Sequence, residues 1–481
     1  MTTNRRRFLI GAAVAAVPAS AISGTILKRR QRQASQSETD DSRSNSDQGE
    51  TDEAHVQEAD NWDRINVVEH GITNDGDTDI TAAVQDLIEP YRTLVFPDGV
   101  YKKQDTDPIN VMDPLRVVCE GNVSFDFEGG LFWSVGTSSA PVDFFEFVGN
   151  GTTIDVDGVD GRVFLLYSGN HHQLSDVTLS GTMAATEWGG ARFDAAADAT
   201  VVARNLSMTG GGQDRATGIN VNPAGERCVI RIIDCHLEGW EDNGLYGYSG
   251  PGRLIVSGGT YRNNGISQVR SQSDNTKIEN VDVVVDDVDD VLSPRGIRLR
   301  DGNHHHIDNC AIVARGDESY LPMQITEEVG SVTVSNTSFT LEETDTGLTI
   351  PPHDGNPSES MVRFENCDVT QSGSESGRFL QTFRPTRISG CQFTLESWAG
   401  IEAWNENVTI SDSIGTFGPH YAVQIEAPGV TVRNNQFEPT ESHPAVGITE
   451  DTGEVWIDGN ILENGIQDEG GNTVHGDNRI T

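Results

Sequence analysis

The chain has 481 residues and a formal net charge of −41, from 74 acidic and 33 basic residues. Four of the basic residues are lysines (Lys28, Lys102, Lys103 and Lys277), and 35% of the chain is hydrophobic. So acidic a surface repels nucleic acid, which is not expected as a partner, and points to a salt-adapted protein whose carboxylates hold water and cations.

In chain order, residues 1–33 come first, with seven basic residues and no acidic one. Asn4-Arg5-Arg6-Arg7-Phe8-Leu9, an apolar stretch and Ala19-Ser20-Ala21 fit a twin-arginine signal over 1–21, so the protein is expected outside the cell or on its surface. Membrane association is expected only if this segment stays uncleaved, because Pro18, Ser20, Ser23 and two glycines make a poor spanning helix. Residues 22–61 are rich in Ser, Asp and Glu, cannot bury a core, and read as a solvated linker. Over 62–105 a cap segment is expected, in which Asp79 starts a helix spanning Ile80–Glu89. Its Ile80, Val84, Leu87 and Ile88 would plug the end of whatever follows.

From residue 106 to 481 the chain repeats itself. A six-residue pattern (apolar, any, Asn/Asp/Gly, any, any, apolar) begins at Leu174, Ala203, Ile232, Val256, Ile278, Ile307, Val334, Phe364, Ile388, Ile410, Val432 and Ile457. Asn, Asp and Gly tolerate the left-handed backbone of a tight turn, and the flanking β-branched and aromatic residues alternate as strands do. A further strand recurs between the turns as "GINVN", "GLYGY", "GISQV", "GIRLR" and "GIEAW". No unit of this size buries its own inner face, so the units must stack into a solenoid. Three strands per coil of 22–30 residues resemble the right-handed parallel β-helix of the pectate-lyase-like superfamily. His70–Tyr101, with its Gly-Asp-rich turn, short helix and Phe-Pro-x-Gly-x-Tyr strand, resembles that superfamily's N-terminal segment. The fold expected is all-β, a right-handed parallel β-helix of about 14 coils with an N-terminal capping helix.

The register then sorts the chemistry. In "DGNHHHIDNCAI" (Asp301–Ile312), His305 falls in an inward column with His172 and many valines, whereas His304 and His306 face out. Three histidines on alternating faces of one strand cannot converge on one metal. Cys235, Cys310, Cys367 and Cys391 share one core column and read as reduced packing residues. No cofactor is expected, and calcium, although compatible with so acidic a chain, is indicated by no motif.

The resemblance implies a ligand groove along the first strand of each coil. Residues expected to face it are Arg192, Asp194, Asn220, Asn222, Tyr246, Tyr248, Ser267, Arg298, Arg300, Gln324, Thr326, Glu402 and Trp404, with Arg270 and Asp301 just past their strands. Arginine forks pair with carboxylates or sulfates and aromatic faces stack on sugars, so the stripe suits an anionic polysaccharide. Arg298, Arg300, Asp301, Tyr248, Asp242 and Glu241 are the candidate catalytic residues. Asn222, Tyr246, Arg270 and Gln324 are the candidate substrate contacts. A lyase would use arginines to neutralise or deprotonate a uronate with Tyr248 as acid, and a glycoside hydrolase would use two carboxylates. The superfamily's polygalacturonase signatures are missing from the chain. Two readings therefore stand: a secreted polysaccharide lyase or hydrolase, and a non-catalytic carbohydrate-binding or adhesive surface protein.

Overall fold

Each turn of the chain adds three short parallel strands to the growing ladders, for example Asn243–Gly247, Arg253–Ser257 and Thr260–Arg262. Each of these pairs with the equivalent strands one coil before and one coil after. The computed structural model describes residues 59–184, 189–288, 294–317, 319–344, 346–355, 360–373, 377–396 and 399–481. Residues 1–58, with the expected export signal and nearly all of the linker, lie outside them. Residues 61–481 form a right-handed parallel β-helix of about 15 turns, one more than the repeat count suggests. No helix among the described residues is long and apolar enough to cross a membrane.

The turn residue is the device that closes each coil. All twelve third-position residues of the repeat, from Asp176 to Gly459, have φ between +50° and +70°. Asn, Asp and Gly reach that conformation at least cost, and the Asn and Asp side chains also bond between coils. Asn205 Nδ2 donates to Asp176 Oδ1 at 2.8 Å, and Asn309 Nδ2 to Asn280 Oδ1 at 2.6 Å. The residue after the turn points inward. Cys235, Cys310, Cys367 and Cys391 are buried there, all six cysteines of the chain are unbridged, and burial pushes the Cys235 and Cys310 thiols up to about 12. Towards the C-terminus the same column turns polar, with Asn435 and Asn460 bonding coil to coil at 2.9 and 3.0 Å.

One core runs from Val67 to Leu462. At its N-terminal end the helix is shorter than expected, Thr81–Leu87, because Ile88 is already extended. Asp79 Oδ1 accepts from the Thr81 amide at 2.7 Å, while its other oxygen accepts from the amides of Gln104 and Asp105. Ile80 and Val84 are buried and Leu87 and Ile88 pack at the margin of the core.

The ladder of first strands is interrupted once, between Leu321–Ile325 and Thr346–Ile350, where a separate six-stranded sheet begins. Arg384, 1% exposed, bridges this gap. Its guanidinium donates to the carbonyls of Thr326 (2.8 Å), Val329 (2.7 Å) and Pro351 (2.8 Å). Burial without a carboxylate pulls its pKa down to about 10.

His172 and His305 are inward-facing and buried, as the register requires. His172 Nε2 meets the Val142 carbonyl at 2.9 Å and His305 Nε2 the Asp301 carbonyl at 3.0 Å, while each Nδ1 is buried without a partner. Protonating Nδ1 would bury a bare cation, so burial holds the imidazoles down at about 3 and about 4. The unfolded chain, with histidines near ~6.5, therefore binds protons first, and stability is lost as pH falls below ~6.5. The variant His305→Val, which copies the paired Val332, is expected to lose less Tm than the parent between pH 6.5 and 4. Parallel Tm–pH curves for the two proteins would refute this.

Candidate functional site

Six first-sheet strands carry the candidate site: β1 (Gly189–Ala195), β2 (Thr217–Pro223), β3 (Asn243–Gly247), β4 (Ser267–Ser271), β5 (Arg295–Leu299) and β6 (Leu321–Ile325). Parallel register aligns Arg192, Asn220, Tyr246, Arg270, Arg298 and Gln324 in one row. A second row runs two residues later through Asp194, Asn222, Tyr248, Gln272, Arg300 and Thr326, its last four members held by backbone bonds of 2.9–3.2 Å to the preceding coil. Arg270 thus lies within its strand rather than past it.

A third row, not anticipated from alternation, contains Thr217, Asn243, Ser267 and Arg295. It exists because two successive residues on each strand turn inward. At Gly296 a Cβ would lie 2.3 Å from the Pro322 carbonyl and 3.1 Å from the Val283 side chain, and Ile297 is wholly buried. The residue ahead of this glycine therefore comes out on the side of the other two rows. This breaks the period-two rule and brings Arg295 to the cluster. Ser267, expected to be outward and accessible, is instead fully buried, as is Asn243. Ser267 Oγ and Asn243 Oδ1 have no hydrogen-bond partner.

Arginines dominate the centre. Arg270 is 7% exposed, Arg298 is half-buried and Arg300 is exposed. The Arg270 guanidinium lies over the Tyr246 ring at 4.1 Å, and the Gln272 amide, with its oxygen turned inward, accepts from Arg270 Nη2 at 2.5 Å. Burial lowers the pKa of Arg270, Arg295 and Arg298, and their mutual repulsion adds to it. Arg270, Arg298 and Arg300 form no ion pair with any described residue, and Arg298 Nε is buried without a partner. Arg192 differs: it is held by Asp194 at 2.6 and 3.1 Å, where Asn222 Nδ2 also donates at 2.8 Å.

Asp242 sits against these cations. Its Oδ2 accepts from Thr217 Oγ1 at 3.2 Å and its Oδ1 from Asn243 Nδ2 at 2.7 Å. Burial raises its pKa and outweighs the opposing Thr217 bond and the charges of Arg270, Arg215 and Arg298. The other candidate carboxylates are engaged at exposed positions. Glu241 accepts from the Arg215 amide at 2.7 Å, and Asp301 accepts from the Gly302 amide at 2.7 Å and from Ser249 Oγ at 3.3 Å. Tyr246 and Tyr248 meet edge to face at 4.4 Å, with Arg192 over Tyr248 at 5.7 Å. Burial raises the Tyr248 pKa, so its phenol keeps its proton. Gln324 ends the row with a buried, unpartnered Oε1. Among the described residues no group of three or more His, Cys, Asp or Glu could hold a metal ion.

No protein-family model matches the chain, and no curated protein does. Among solved structures, the A-module of the mannuronan C-5 epimerase AlgE4 of Azotobacter vinelandii covers 68% of this chain and 100% of its own, at 15% identity and a TM-score of 0.44. PfbA, a surface adhesin of Streptococcus pneumoniae, covers 77% and 92%, at 10% identity and 0.38. Pectate lyase Pel9A covers 69% and 77%, at 15% and 0.37. None of them identifies the chain. Likeness this distant assigns no reaction, and the site stands on its own geometry.

Because the folded state raises the Asp242 pKa above its ordinary 3.8, ionising it opposes folding, and stability falls as pH rises through that window. The variant Asp242→Asn is expected to raise Tm at pH 7, by no more than a few degrees since the carboxylate remains partly solvated. The gain should vanish below about pH 4. A Tm lowered at pH 7 would show that the arginines, not burial, set the balance at Asp242.

Proposed function

We propose that this is a polysaccharide-active protein that takes an anionic glycan along the first-sheet groove and cleaves it by β-elimination. One observation carries this reading: Arg270 is almost wholly buried, beside Arg298 and Arg300, with no ion pair to any described residue, on a chain of net charge −41. A buried guanidinium is costly without an anion, and this chain has carboxylates to spare elsewhere. A ligand carboxylate would complete the cluster.

The reaction follows from the groups at hand. Arg270, Arg298 and Arg300 pair with a uronate carboxylate and stabilise the negative charge that develops on it when the adjacent C5 proton leaves. The carboxylate of Asp242, made more basic by burial, takes that proton. The C4–O bond breaks, a C4=C5 double bond forms, and the departing oxygen takes a proton from the Tyr248 phenol. The guanidiniums keep their protons throughout, since even a lowered arginine pKa lies far above neutrality. Elimination is favoured over hydrolysis because a hydrolase needs two carboxylates flanking the bond. Here Asp242 faces the arginines while Glu241 and Asp301 are bound to backbone amides. The expected setting is extracellular and saline, following the acidic composition and the N-terminal signal pattern.

Uronic-acid polymers incubated with the protein in concentrated salt are expected to yield unsaturated products, followed by their ultraviolet absorbance. Asp242→Asn should lower kcat by about 10²–10⁴-fold with little change in KM. Arg298→Ala should lower kcat/KM through both. New reducing ends without absorbance would make the protein a hydrolase. Glycan binding that is lost in Arg298→Ala, with no product from any polymer, would make it a binding protein. No binding at all would refute the groove.

A further inference from the structure

Beyond β6 the groove side changes character. Strands β7 (Thr346–Ile350), β8 (Arg378–Thr382) and β9 (Ala399–Ala403) continue the stack, and the residues following β8 and β9 are Phe383 and Trp404. Their rings lie 5.7 Å apart and 28° from parallel, and Trp404 remains 42% exposed. Phe383 is fixed by its amide bond to the Ile350 carbonyl and by the following residue, the buried Arg384. Trp404 is fixed by its amide bond to the Thr382 carbonyl and by Nε1, which donates to Glu402 Oε2 at 3.3 Å. Glu402 in turn is neutralised by Arg378 at 2.6 Å and accepts from Gln381 at 2.9 Å. An exposed indole costs solvation, yet here three neighbouring side chains hold its orientation and no uncompensated charge is left around it.

We propose that Phe383 and Trp404 form a second, uncharged subsite that takes the C–H face of a pyranose ring at the far end of the same groove. This rests on the anionic-glycan reading above and adds a length requirement to it. Trp404 is four coils beyond Arg300, which places it ~19 Å further along the axis at ~4.8 Å per coil. A glycan touching both subsites must be extended and roughly five sugar residues long, so the protein selects polymer over short fragments. The centre recognises charge and the platform recognises ring shape.

Dissociation constants for mannuronate and galacturonate oligomers, from dimer to octamer, test this in the Asp242→Asn background, where turnover is suppressed. Affinity is expected to step up at about five residues. Adding Trp404→Ala should abolish the step, weakening the long oligomers at least tenfold and leaving dimer and trimer unchanged. Trp404→Phe should retain most of it, which separates loss of the platform from misfolding. Arg298→Ala should weaken every length equally. A Trp404→Ala effect that is uniform with length, or absent at all lengths, overturns the platform while the arginine centre survives. If no oligomer of any length binds, the centre itself is refuted and the platform with it.

Discussion

A residue with φ near +50° strains an L-amino-acid backbone by about 1–2 kcal/mol, and nine of the twelve repeats accept that strain at an Asn or Asp. In return, the third strand of each of these coils leaves the second through the same turn, so coils of 22–30 residues stay in register whatever their loops contain. The inward columns, the stacked thiols and asparagines, and the outward rows of the groove all inherit their alignment from that turn. Glycine removes the strain, while Asn and Asp accept it and recover part through side-chain bonds to the next coil.

The same stacking explains how a strongly acidic protein can keep a cluster of cations. Arg270 and Arg298 occupy one row, one coil apart, with Arg295 on the Arg298 strand and Arg300 just past its end. Parallel register forces like charges to stack at the spacing of a strand ladder, an arrangement that repulsion and burial both oppose. Among the described residues the charges of Asp242 and of the exposed Glu328 reach the cluster, without an ion pair to Arg270, Arg298 or Arg300, and burial leaves Asp242 reluctant to ionise. The result is a preorganised positive field that its neighbouring carboxylates offset only in part.

How far the residues alone foretold this differs by feature. The fold was legible because the third-position Asn, Asp or Gly marks twelve successive coils and the valine columns fix the faces. The triple histidine resolved correctly for the same reason: alternation places His305 inward and separates it from its neighbours. Alternation also misled. It gave no place to Arg295, because two consecutive residues turn inward at Gly296 and Ile297, and only the close backbone approach at that glycine reveals the exception. It left Ser267 accessible, although the adjacent coils cover it. Side-chain conformation was not legible at all. Tyr246 was expected to offer its face to a sugar, but Arg270 already occupies one face at 4.1 Å, a pairing decided by rotamers rather than by register.

The interruption in the first sheet between Leu321–Ile325 and Thr346–Ile350 has a mechanical side. In a solenoid each coil is stabilised only by its neighbours, so unfolding travels along the axis as a front and pauses where neighbouring coils are weakly joined. Here one of the three ladders is missing, and Arg384 spans the seam in its place, holding the Thr326 and Val329 carbonyls on one side and the Pro351 carbonyl on the other. That single side chain acts as a rivet, coupling two stretches of solenoid into one cooperative unit. Without it, the coils that carry Trp404 could open as a block while the arginine-bearing coils remained folded.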